Sequence, residues 1–164
     1  MKKYILYLLL PSFVLTLFAV NMGFSHSNSA PVIDCTSCHQ GKLKTDIVSI
    51  SGLPKAYEPG MTYKLTIKIS SDLEAMGESR GGFALQATGG KIVITNKKDT
   101  QYIEKFLTHT LEGSKSRSWS FSWQAPKTGD EVTLTVMAIA SNGDYSAVGD
   151  LIGAQSYAIK ALKK

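Results

Sequence analysis

The sequence predicts an all-β fold, an immunoglobulin-like antiparallel sandwich of about eight strands, and two observations carry that expectation. Apolar and polar residues alternate with a period of two in several separate runs, the pattern of a strand with one buried and one wet face. Glycine and proline clusters, Glu58-Pro59-Gly60, Gly81-Gly82, Gly89-Gly90, the stretch 126–129 and Asn142-Gly143, punctuate the chain between those runs at the spacing of a sandwich.

The strands follow in order. Residues 47–51 form a short first run. Tyr63, Leu65, Ile67 and Ile69 alternate with Thr62, Lys64, Thr66 and Lys68, and Trp119, Phe121 and Trp123 alternate with Ser118, Ser120 and Ser122. Val132, Leu134, Val136 and Ala138 continue the pattern, while Met137 and Ile139 on the other parity predict burial on both faces. Further strands are expected at 83–87, 91–95, 105–110 and about 150–161. Two antiparallel sheets packed face to face close such a set around one core.

The two cysteines of the chain, Cys35 and Cys38, lie ahead of these strands, and His39 follows the second directly. C-x-x-C-H is the attachment pattern of a c-type haem. Two thiols one short turn apart can each add to a vinyl group of the same porphyrin, and the adjoining imidazole reaches the iron as an axial ligand. Two other readings of the pair stay open. One is a Cys35–Cys38 disulfide, which has no use for His39 and, in its thioredoxin form, calls for a βαβ pattern that is missing from the sequence. The other is zinc, which needs four ligands, whereas only His26, His109 and scattered carboxylates are on offer beyond the motif.

The N-terminus supports the haem reading. Lys2 and Lys3 precede a run, 4–24, that is apolar apart from Ser12, Thr16 and Asn21, the layout of a secretory signal. Haem is in general attached to C-x-x-C-H outside the cytoplasm, so the two signals agree. Ser25-His26-Ser27 fits a small-x-small cleavage site, and Pro31 argues against cutting after Ala30. The apolar run also approaches the roughly 20 residues that span a bilayer, so an uncleaved anchor is the alternative. Asp34 before Cys35 argues against a lipoprotein. The expected organisation is a signal peptide or anchor helix over 1–27, an extended haem-attachment segment over 28–45 and a sandwich over 46–164. Without Lys2 and Lys3 the formal charge falls from +5 to +3, and the lysines are spread along the chain, so nucleic acid is not an expected partner.

Four blocks in the right order resemble a known family. The stretch 53–67, with Pro59-Gly60 in its turn, is similar to the opening strands of reeler domains, the module at the N-terminus of reelin, and of their prokaryotic relatives, the choice-of-anchor V domains. Gly82-Phe83-Ala84-Leu85-Gln86-Ala87 resembles the second block, Thr108-His109-Thr110 the third, and the run from Trp119 to Pro126 the fourth. The resemblance spans residues 46–140. It implies an immunoglobulin-like fold, an extracellular or periplasmic setting and no reaction, and in prokaryotic members a C-x-x-C-H segment often precedes the sandwich. The chain lacks the disulfide cysteines of the animal domains, which puts in doubt any adhesive role carried over from them. Residues 150–164 are too short and too charged to be read as the C-terminal anchor of the second family, so none is expected there.

The sixth iron position separates an electron carrier from a ligand sensor. His109, in a strand-like run that coincides with a family block, is the leading candidate. Met76, Met61, a lysine or an open position are the alternatives, and His26 lies too close to the chain start. Trp119, Trp123, Phe106, Phe83 and Tyr102 are candidates for an apolar haem wall, although an alternating aromatic strand is more often core. Arg117, Lys115 and Lys105 are candidates for the propionates, and a solvated edge explains them equally well. No nucleophile–base pair, phosphate loop or paired carboxylates point to an enzyme. The sequence therefore predicts an exported monohaem c-type protein that passes electrons to a redox partner protein or membrane component, on the periplasmic or extracellular side. Its rivals are a haem-free reeler-type binding or adhesion module and a haem sensor with an open axial site.

Overall fold

The two most regular alternating runs become neighbours. In the computed structural model, which describes residues 29–163, Thr62–Ile69 and Ser118–Gln124 pair antiparallel, so that Tyr63 faces Trp123, Leu65 faces Phe121 and Ile67 faces Trp119. The opposite parity forms the wet side, where the Thr66 and Ser120 hydroxyls lie 3.0 Å apart. Every apolar residue of one strand thus meets an apolar partner across the ladder, the arrangement that pins register.

Eleven strands are present among the described residues: β1 Gln40–Lys44, β2 Val48–Ser51, β3 Ala56–Tyr57, β4 Thr62–Ile69, β5 Gly81–Ala87, β6 Lys91–Ile94, β7 Thr100–Ile103, β8 Phe106–His109, β9 Ser118–Gln124, β10 Glu131–Ala140 and β11 Val148–Ala161. One sheet runs β2-β4-β9-β6. The other runs β1-β11-β10-β5-β8-β7, with β3 added beside β11. The expected all-β immunoglobulin-like sandwich is therefore the observed one, with two short strands and one edge strand beyond those legible in the sequence. Trp119, Trp123, Phe121, Phe83, Leu65, Ile67, Leu85, Leu107 and Leu134 fill the space between the sheets.

The larger sheet is covered on part of its outer face as well. On β10, Val132, Leu134, Val136, Ala138 and Ala140 are buried towards the core. Ile139, on the other parity, lies opposite Gly82 of β5 and Ile152 of β11. Ile152 is fully buried without belonging to the core. What covers this second apolar patch is the segment ahead of the sandwich. It was expected to be an extended segment over 28–45; instead it makes a 3₁₀ turn at Cys35–Ser37 and then enters the sheet as β1, parallel to β11. Met137 and Ile139, on the outward parity of β10, are half-buried.

Arg117 corrects an expectation. It is no solvated edge residue facing propionates: its guanidinium donates to the carbonyls of Arg80, Ser71, Leu73 and Ser141, tying the 70–80 loop to the start of the 141–147 loop. Lys115 bonds Glu78 and Glu112, and Lys105 sits over the Phe106 ring. Replacing Arg117 by Met strands several part-buried carbonyls, and a loss of about 2–3 kcal/mol in urea denaturation is the expected result. A loss under about 0.5 kcal/mol would show that the clamp is idle.

Candidate functional site

The C-x-x-C-H pentapeptide is shaped by its own side chains. Asp34 caps the 3₁₀ turn, its carboxylate accepting from the Thr36 amide at 3.0 Å and the Thr36 hydroxyl at 2.6 Å, and these bonds hold its pKa below the ordinary carboxylate value. The amides of Cys38 and His39 both donate to the Cys35 carbonyl, at 3.4 and 2.9 Å. A 3₁₀ turn has three residues per turn, so positions i and i+3 stand one above the other. Cys35 and Cys38 occupy those positions, and both line one cleft.

Neither thiol is paired with the other. Cys35 is buried, and burial first, then the charges of Asp34 and Cys38, push its pKa up to about 12. It is held as the neutral thiol, a state that a thioether, being uncharged, would preserve at no desolvation cost. Cys38 is exposed.

His39 is fixed by a residue that sequence reasoning did not single out. Its Nδ1 lies 2.6 Å from Oδ2 of Asp150, whose side chain is 1 % exposed. The other carboxylate oxygen accepts from the Asn142 amide at 3.0 Å. An imidazole that donates Nδ1–H to a carboxylate keeps its lone pair on Nε2, the state in which histidine serves as a metal ligand. The signal in the sequence was an acid opening an apolar strand, Asp150-Leu151-Ile152, where a charge has no place unless paired.

His109 arrives at the same cleft from the end of β8. Its ring packs against Gly82, where a Cβ would come within 2.5 Å of Cε1, so only glycine leaves room for it. Its Nδ1 accepts from the Phe83 amide at 3.1 Å, with the Phe83 carbonyl 3.4 Å and the Thr108 hydroxyl 3.2 Å away. That hydroxyl donates to the Phe83 carbonyl at 2.6 Å and accepts from the Ala30 amide at 2.9 Å. Burial lowers the His109 pKa to about 4, partly opposed by the Phe83 backbone bond and reinforced by the charge of nearby His39. His109 is thus neutral at pH 7, as ligation requires.

That shift has a consequence for the haem-free chain. The folded state binds its proton at about 4 and the unfolded state near the ordinary 6.5, so the unfolded chain holds more protons in between. The contribution of His109 to stability is complete above pH 6.5 and is lost as pH falls through 4, with about 2–4 kcal/mol at stake. Denaturant melts of protein made in a host that does not mature haem should show this slope, and H109Q should flatten it. An unchanged slope in H109Q would assign the effect elsewhere.

The cleft is open to solvent, and the space between its walls, open solvent included, is about 800 Å³. Pro31, Val32, Phe83 and Ile139 give it apolar walls, and Ser79, Ser141 and Ser146 bring hydroxyls. The other sequence candidates fall outside it. Trp119 and Trp123 are core, as the simpler reading had it; Tyr102 is half-exposed and donates to the Ile92 carbonyl at 2.7 Å; Phe106 is buried under Lys105. Met76 is 78 % exposed, and neither it nor Met61 lines the cleft. Among the described residues no three of His, Cys, Asp and Glu converge as for a bare metal ion. Haem asks for less, since the porphyrin supplies four of the six ligands and the protein only the axial pair. Two cysteines and two histidines line the cleft, the side-chain types that a covalently held haem would call on. His26 and the signal or anchor segment over 1–27 lie outside the described residues; among those described, no helix is long and apolar enough to cross a membrane.

The fold so defined is an all-β sandwich of the reeler type. The chain is similar to the crystal structure of the human F-spondin reeler domain, with a TM-score of 0.56 and 19 % identity over 75 % of this chain and 95 % of that one. The Reelin-N domain of F-spondin gives a TM-score of 0.56 at 18 % identity, over 79 % of this chain and 96 % of that one. No protein-family model and no curated protein matches the sequence.

Proposed function

We propose that this reeler-fold module binds one covalent haem c in the cleft and passes single electrons to a partner outside the cytoplasm. The observation that carries the reading is convergence: His109, seventy residues from the C-x-x-C-H turn, lines the same cleft as Cys35, Cys38 and His39. Cys35 and Cys38 would anchor the porphyrin through thioether bonds. His39 and His109 would supply its two axial nitrogens. The iron would contribute a one-electron couple, and the apolar walls would shelter it from water. Serine hydroxyls in the cleft are the donors at hand for the propionates, since no lysine or arginine lines it among the described residues. Two imidazoles on the metal would favour a carrier over a catalyst, because they would leave a substrate no place to bind.

A second reading has support of its own. The likeness to the F-spondin reeler domains favours an extracellular binding module, in which Cys35 and Cys38 pair as a disulfide and the loops of the sandwich carry recognition. A third keeps the haem and leaves the sixth position open. Absorption spectra of protein from a haem-maturing host separate all three. The electron-carrier reading expects a low-spin spectrum in both oxidation states and no carbon monoxide adduct in the native protein. A carbon monoxide adduct would favour the sensor, and the absence of a covalent haem band would favour the binding module.

A further inference from the structure

We propose that Asp150 is a positioning residue for the iron: through its hydrogen bond to His39 it makes the imidazole a strongly donating axial ligand and sets the haem at a lower reduction potential. The inference rests on the haem reading above and deepens it. At 2.6 Å the Nδ1 to Oδ2 separation is at the short end for a charge-assisted bond. The carboxylate is almost fully buried, and His39 is its one ionic partner among the described residues. Its charge is therefore neither screened by water nor shared with a lysine or arginine.

The backbone enforces this pairing. His39 immediately precedes β1, whose Gln40 and Lys42 pair with Val148 and Leu151 on β11, with a register irregularity between them. Gly41 sits at that irregularity, so close to the Asp150 backbone that a Cβ on it would overlap the Asp150 carbonyl oxygen. The parallel pairing of β1 with β11 thus carries His39 to Asp150 as a matter of register. The bond from the Asn142 amide to Oδ1 fixes the carboxylate from the other side.

The direction of the effect follows from charge. A carboxylate drawing on Nδ1–H puts electron density on Nε2, and its own negative charge in a dry setting favours the more positive oxidation state. Ferric iron gains more than ferrous, so the potential falls.

The test uses haem-loaded full-length protein, with covalent haem first verified by pyridine haemochrome in wild type and D150N. The expected result is a midpoint potential in D150N higher by at least a tenfold shift in the reduced-to-oxidised ratio, about 59 mV for one electron. An altered ferric low-spin EPR signal should accompany it. Haem attached as in wild type, with potential and EPR signal both unmoved, would overturn the inference while leaving the haem reading standing. Wild type without covalent haem would instead sink the haem reading, and this one with it. Should D150N fail to accumulate, the wild-type ferric protein answers by NMR. A hyperfine-shifted, slowly exchanging proton on the His39 Nδ1 is expected, and a rapidly exchanging one would contradict the buried pairing.

Discussion

Protein with both Cys35 and Cys38 replaced by serine is expected to leave a haem-maturing host folded and without covalent haem. Serine keeps the size of each side chain and removes the sulfur, and with it the only atoms in the chain able to form the thioether bonds. The sandwich should survive the change, because neither cysteine belongs to the packed space between the sheets. Burying one hydroxyl at position 35 costs about 1–2 kcal/mol, well within what a domain tolerates. The Asp34 cap and the His39–Asp150 bond use no sulfur atom, so the turn should persist. Far-UV circular dichroism and a denaturation curve check the fold, and a haemochrome assay after acid-acetone extraction checks the attachment. Covalent haem persisting in the double variant would remove the pentapeptide from the account.

Trp119→Ala is the substitution expected to cost the fold most, about 3–5 kcal/mol. The ring is buried, lies opposite Ile67, packs 4.8 Å from the Phe83 ring and donates its Nε1–H to the Gly113 carbonyl at 2.8 Å. Truncation leaves a large void and removes one of the two hydrogen bonds to the Gly113 carbonyl, which keeps the Ser116 amide at 3.1 Å. The effect should reach the cleft too, since Phe83 stands between Trp119 and the His109 ring, 6.3 Å beyond. Urea denaturation measures the loss, and a change under about 1 kcal/mol would mean that the inter-sheet space collapses far more easily than its packing implies.

The sheets were legible wherever one face is wet and the other dry. β4 and β9 announce themselves by strict alternation, and their pairing satisfies both patterns at once. β1, β3 and β7 were not legible, because they are short and two of them run parallel to β11, where partner rather than pattern decides the structure. The C-x-x-C-H pattern could be seen because it is local, five residues in a row. Asp150 and Gly82 could not be tied to it, since an acid 111 positions away and a glycine under a histidine ring acquire meaning only through the sheet register that brings them in. Arg117 was misread for the same reason: its partners are backbone carbonyls on two loops, which no charge pattern reveals. His109 was the informative middle case, suggested by residue type and a family block, and then found beside the motif in one cleft.

Intact mass spectrometry of the mature native chain tests the central claim most directly. The account predicts a mass equal to the processed polypeptide plus one haem, with the added mass retained under denaturing conditions and located on the peptide that contains Cys35 and Cys38. A bare polypeptide two hydrogens light, with those cysteines joined to each other, would contradict it.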